Sequence, residues 1–211
     1  MINPKVIDLY HGDAEPDFKQ AWDAGIRGVI HKASEGLGTD PKYHERRNKC
    51  LIEAPYMLWG AYHFARPGDV ALQIQHFLSV VAPGASIPAA FDKSIVLVLD
   101  HEDPRVPLWF AAGWLRGVER LTGKTPWLYS GFLIREQEEN RHAPEFSEYP
   151  LWLAEYGPVA KVPQPWKTCI LHQYTDGHAG PEPHIIKGMP GGLDISSFDG
   201  SDEDLEKIWF A

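Results

Sequence analysis

Cysteine is scarce: Cys50 and Cys169 are the only two in 211 residues. They sit far apart, so free thiols are expected rather than a disulfide framework. No run of Lys or Arg occurs, and the net charge is −9. Phosphate contact wants a basic face, so an ordinary nucleic-acid reader is excluded. No stretch approaches the ~20 apolar residues of a membrane-spanning helix, and no membrane insertion is expected. The opening MINPKVIDLY lacks an apolar run behind a basic start, so it is no ordinary secretory signal. Synthesis in the cytoplasm is expected, with any export by another route. Repeats, low-complexity tracts and linkers are missing too, which leaves one domain over 1–211.

What is present is apolar and aromatic. Hydrophobic residues make up 44% of the chain, with eight Trp and eight Tyr. Short aliphatic runs at 5–10, 28–34, 57–65 and 95–100 alternate with helical patterns at 16–25, 40–54, 68–81 and 106–123. Asp40 and Pro41 have the spacing of a helix N-cap and first turn, and Gly123 that of a helix stop. Further strands are predicted at 126–130, 150–156, 168–174 and 192–198, and only the first of these leads into a helix, near 131–140. Strands alternating with helices predict parallel βαβ units. Eight of them predict an α/β fold: an irregular, flattened (β/α)8-like barrel with some late helices missing. Such barrels run to ~250 residues, so a shorter chain fits that loss.

The polar residues gather at strand ends. Asp8 ends the first strand, and Lys32 and Glu35 follow the second. Tyr62 lies on the third, Asp100 and Glu102 end the fourth, and Tyr129 lies on the fifth. Glu155 and Tyr156 follow the sixth, and Gln173 and Tyr174 lie on the seventh. Asp194 departs from this, coming early in the eighth strand. In a parallel barrel the C-terminal strand ends form the active-site face. Alternation puts Val96, Val98, Asp100 and Glu102 on one face and turns His101 away. Asp100 and Glu102 would then stand ~6.5 Å apart at their Cα atoms. Closure would bring the eighth strand to ~4.8 Å from the first, making Asp194 a neighbour of Asp8. Clustered carboxylates repel, so at least one should keep a proton near neutral pH. One protonated acid among ionised ones is what glycosidic bond cleavage requires.

The runs VIDLYHG, GVIHKASEG, GAYHFARP, VLDHED, WLYSG, LWLAEY, HQYTDG and GLDISSF occur in this order over nearly the whole chain. In them the sequence resembles the glycoside hydrolase family 25 muramidases, lysozymes of the Chalaropsis type. The resemblance implies hydrolysis of the β-1,4 bond between N-acetylmuramic acid and N-acetylglucosamine in peptidoglycan. It implies Glu102 as general acid, Asp100 as the partner that orients the N-acetyl group or supports charge, and Asp8 and Asp194 as further carboxylates of the groove. Tyr62 and Tyr129 match sugar-contacting positions. The chain departs from the family pattern at His172, where a Trp is frequent, and at His11-Gly12.

Glu35, Tyr156, Gln173 and Tyr174 are further candidates for substrate contact, with Glu35 equally able to pair with Lys32. Trp22, Trp109, Phe110 and Trp114 fall on predicted helices and are expected in the core; Trp152 is expected in the core or as a groove wall. His101 and Asp103 are expected to be bystanders. No metal or cofactor is expected, because His101 faces away and no H-x-H or H-E-x-x-H spacing occurs. A monomer acting on peptidoglycan glycan strands is expected, with no separate wall-binding module. A phage or prophage endolysin, acting on the wall after release, is the preferred setting. A catalytically inactive peptidoglycan-binding module and another β/α-barrel glycosidase, chitinase-like, stay open as alternatives.

Overall fold

The computed structural model describes residue 3 and residues 5–84, 92–139 and 144–211. Its strands are β1 (Lys5–Leu9), β2 (Ile26–Glu35), β3 (Gly38–Thr39), β4 (Leu58–Phe64), β5 (Val96–Asp100), β6 (Trp127–Ser130), β7 (Leu151–Ala154), β8 (Leu171–Asp176) and β9 (Asp194–Ser197). The helices are α1 (Phe18–Asp23), α2 (Tyr43–Glu53), α3 (Val70–Val81), α4 (Leu108–Thr122), α5 (Phe132–Glu139) and α6 (Asp202–Phe210). Strands β1, β2, β4, β5, β6, β7, β8 and β9 close into an eight-stranded barrel, and β3 only folds back on β2. No helix separates β7 from β8 or β8 from β9. The barrel with eroded late helices is therefore the observed fold. The predicted helix end at residue 140 lies outside the described residues.

Alternation sorts each strand into two layers. Val6, Ile30, Val96, Val98, Trp127 and Trp152 fill the barrel interior. Their neighbours Ile7, Val29, Leu97, Leu99, Leu128, Leu151 and Leu153 pack outward against the helices. Helix ends follow local chemistry. The Asp69 side chain accepts from Leu72 N at 3.0 Å to start α3, and Gly123, at φ 67°, turns the chain out of α4. At α2 the expectation shifts. The helix begins at Tyr43, and Asp40 instead accepts from the backbone N–H groups of Lys42 and His11.

One strand runs against the rest. β9 is antiparallel to both β1 and β8, while the other barrel pairs are parallel. Its first residue therefore lies at the end of the barrel where the other strands finish. That is why Asp194 reaches the same mouth as Asp8 although it opens its strand. The opposite end is closed by α6, started by a capping box between Ser201 and Asp204. Leu205 and Trp209 of α6 enter the barrel interior. Trp209 Nε1 donates to Trp59 O at 3.0 Å, and its ring meets Trp127 edge-on at 5.3 Å. Gly28 makes room: a Cβ there would stand 3.0 Å from the Trp209 ring. Among the described residues no helix is long and apolar enough to cross a membrane.

Candidate active site

A pocket of about 200 Å3 opens at the mouth where the parallel strands end. Asp8, Asp100, Glu102 and Asp194 all line it, from β1, β5 and its following loop, and β9. Tyr62, Tyr129 and Trp152 add aromatic walls, and Tyr10, Lys32 and Phe64 complete it. Strand register builds one wall directly, since Phe64, Asp100, Tyr129 and Trp152 are successive partners across β4 to β7. The Tyr129 and Trp152 rings meet at 4.5 Å, and Trp152 Nε1 donates to Ser196 Oγ at 2.8 Å.

The acids are held in different ways. Asp100 is buried, and among the described residues its Oδ1 has no hydrogen-bond partner. Burial and then the Glu102 charge raise its pKa well above the ordinary value, against a lowering pull from Lys32. Glu102 stands at the opening with its surface exposed to the groove, and burial of the rest of the group raises its pKa. Asp8 is raised by burial and by Asp194, and is partly offset by Gln173, whose Nε2 donates to Asp8 Oδ2 at 2.8 Å. Asp194 is pushed up to about 6 by burial and by the charges of Asp13, Asp176 and Glu102, and it shares a hydrogen bond with Asp8. All four therefore favour the protonated form relative to a free carboxyl. Among the described residues no three His, Cys, Asp or Glu are arranged to hold a metal ion.

The glycosyl hydrolases family 25 model matches residues 7–182, most of the chain. The chain belongs to that family. The uncharacterized protein YegX of Escherichia coli O157:H7 is 30% identical over 192 residues, covering 87% of this chain and 64% of YegX. An autolytic lysozyme of Clostridium acetobutylicum is 26% identical over 197 residues, covering 92% of this chain and 55% of that protein. The chain thus spans less than two thirds of each of these relatives. The crystal structure of a bacterial lysozyme from Streptomyces coelicolor superposes with a TM-score of 0.81 at 20% identity, covering 99% of this chain and 97% of the other. At that identity the likeness shows the shared barrel.

The remaining candidates of this family 25 chain divide sharply. Gln173 does not line the pocket. It stands beneath it, accepting from Tyr129 Oη at 2.9 Å while donating to Asp8, and so fixes both. Tyr174, next along β8, is a correction: it is 8% exposed and packs into the core outside the barrel. Tyr174 falls where the β8–β9 register shifts between Gln173 and Thr175, and its ring packs with the core outside the barrel instead of facing the mouth. Tyr156 is half-exposed and does not line the pocket. Burial and the charges of Asp194, Asp176, Glu102 and Asp8 raise its pKa, which puts it within electrostatic reach.

Glu35 is engaged elsewhere. It accepts from Lys32 Nζ at 2.5 Å and from Arg66 Nε at 2.8 Å. Burial alone would raise its pKa, but the hydrogen bonds from Lys32 and Arg66 hold it below the ordinary value. Asp103 does not line the pocket, and its buried carboxylate instead takes Arg105 and Arg66 at 2.6 and 3.0 Å. The hydrogen bonds from Arg105 and Arg66 hold Asp103 well below the usual carboxylate range. A chain of charges thus runs from Lys32 in the pocket wall to Asp103, the residue after Glu102. His101 turns away as expected, its Nε2 2.7 Å from Gln137 Oε1.

Sequence reasoning missed Tyr10, Phe64, Asp13 and Arg46. The first two were within reach, being two residues beyond Asp8 and Tyr62 on the same inward faces. Arg46 is buried and donates to Tyr10 O and Asp13 O at 2.6 Å each, clamping the loop after β1. Nothing in its helical spacing marks that role. Trp109, expected in the core, is 61% exposed, whereas Phe110 and Trp114 are buried.

Proposed function

We propose that this chain is an N-acetylmuramidase, cleaving the β-1,4 bond between N-acetylmuramic acid and N-acetylglucosamine in peptidoglycan. The supporting observation is the convergence of Asp8, Asp100, Glu102 and Asp194 on one aromatic-walled pocket, with Glu102 the most open. A carboxyl whose pKa is raised by burial keeps a proton to give to a leaving oxygen, which suits Glu102 as general acid. The unpartnered Oδ1 of Asp100 is a buried acceptor, and an acceptor in that state costs about 1–3 kcal/mol until a donor arrives. The N–H of a substrate N-acetyl group is such a donor, which would aim its carbonyl oxygen at the anomeric carbon. Asp8 and Asp194 add negative potential as positive charge develops there. Net retention follows from attack by the substrate's own acetamido oxygen on the face opposite the leaving oxygen, and then by water on the face that oxygen has vacated. The Clostridium relative is an autolytic lysozyme, which agrees with this reading. A phage or prophage endolysin acting on the cell wall, as a monomer and without a metal, belongs to the same proposal.

Digestion of purified peptidoglycan followed by mass spectrometry tests it. Fragments ending in reducing muramic acid are expected, and peptide-only cleavage or none overturns the assignment. Proton NMR of the first-formed product should show the β-anomer; an α-anomer would overturn the retaining route. Activity should persist in excess chelator.

A further inference from the structure

We propose that the groove continues past Glu102 onto a second binding surface, built on Phe132, that holds the leaving-side sugar of the glycan. This rests on the muramidase reading. The pocket with Asp8, Asp100 and Asp194 gathers negative charge, so it suits the sugar whose anomeric carbon turns positive. Glu102 gives its proton to the departing oxygen, and the sugar carrying that oxygen must extend to the far side of Glu102. The first pocket, at about 200 Å3, is below the ~300–1,000 Å3 usual for ligand sites, so a glycan needs further surface.

That surface exists on the required side. A depression of about 300 Å3 has Glu102 as one wall, with Pro104, Gly131, Phe132, Leu133 and Glu136 as the others. It runs on past Pro104, Leu133 and Glu136 into another of about 520 Å3. Phe132 is 68% exposed at the first position of α5. A large apolar ring left in water beside a groove suits the C–H face of a pyranose, with the sugar's hydroxyls turned outward.

The ring stands on a fixed base. A Cβ at Gly131 would lie 2.8 Å from Ala154 O, so the turn before Phe132 presses its backbone onto β7 in a way only glycine allows. Ser130 Oγ donates to His101 O at 2.7 Å, tying the same turn to the residue before Glu102. Ile134, two residues on, is buried and anchors the start of α5. The platform and the acid are thereby held in register.

The test compares wild type, Phe132→Ala and Phe132→Trp on solubilised peptidoglycan strands, intact or stripped of stem peptides by an amidase. Phe132→Ala should lower kcat/KM about tenfold on both substrates, the scale of one lost aromatic contact. Phe132→Trp should restore it, and neither change should alter the melting temperature of so exposed a site. A loss confined to intact strands would mean a peptide contact and overturn the sugar assignment. No loss on either substrate would overturn the platform altogether while leaving the muramidase reading standing. A wild type that cleaves neither substrate would remove both.

Discussion

Follow the inward face of β1, β5 or β6 from one end of the barrel to the other and its chemistry changes within two residues. Val6 gives way to Asp8, Val98 to Asp100, and Trp127 to Tyr129. At the lower end these side chains meet Leu205 and Trp209 of α6 and are sealed from water. At the upper end the same walls carry carboxyls whose pKa values are raised by burial and mutual repulsion. One end stabilises the fold, and the other costs stability while concentrating charge for chemistry. Changes at the two ends should therefore separate, with losses of activity at the top and losses of stability at the bottom.

The largest effect is expected from Glu102→Gln. Removing a general acid should cut kcat/KM by about 10^2–10^4-fold. The melting temperature should hold or rise, because an amide there avoids the cost of a crowded carboxylate. An active Glu102→Gln enzyme would break the comparison at its upper end. Trp209→Ala comes next and acts at the other end. Emptying that site should cost about 3–5 kcal/mol, measurable as a lower denaturant midpoint. The folded fraction should keep its kcat, since Trp209 does not line the pocket. Equal losses of kcat and stability would show that the two ends are not independent.

Gln173→Met is a smaller and more local test. It keeps the volume but removes the hydrogen bonds to Asp8 and Tyr129. The bond to Asp8 lowers that acid's pKa, so its loss should raise the pKa further and move the acid limb of the kcat/KM profile to higher pH. A fall of about tenfold in kcat with little change in KM is expected if Gln173 only positions, since one lost hydrogen bond to a charged group is worth ~1.5–3 kcal/mol. A change confined to KM would instead make Gln173 a substrate contact.

The same contrast explains what was legible beforehand. The upper mouth announced itself because polar residues at the ends of aliphatic strands violate the burial pattern, as in Val96, Val98, Asp100 and Glu102. Period-two alternation then separated Glu102 from His101. It failed for Gln173 and Tyr174 because both were read as one polar pair when only one faces in. The reversal of β9 was not legible: strand direction depends on how the Pro- and Gly-rich segment at 176–192 returns, and local pattern does not encode that path. The lower plug was missed for a related reason. Trp209 on an amphipathic helix marks a buried face without saying which cavity receives it, and the capping residues Ser201 and Asp204 were the available signal for α6. Trp109 failed in the opposite sense, because helical spacing assigns a face only once its neighbours are known.

Asp194→Asn carries the smallest expected effect and tests the sign of the upper end. Burial and neighbouring acids raise its pKa to about 6, against an unfolded value of ~3.9. Between those values the folded chain holds more protons than the unfolded one, so stability falls as pH rises through the window. Above it the ionised group exerts its full cost, and below it both states are protonated and the cost disappears. Asparagine never ionises. Asp194→Asn should therefore melt higher at pH 7, by about 2–4 °C for each kcal/mol relieved in a chain of this size. The gain should shrink as pH falls through the window and vanish near pH 4. Hydrolysis should fall at the same time, since the negative potential is lost with the charge. A lower melting temperature at pH 7 would mean that partners favour the ionised form of Asp194. The upper end of the barrel would then be a stabilising network, and the division between the two ends would fail where it is finest.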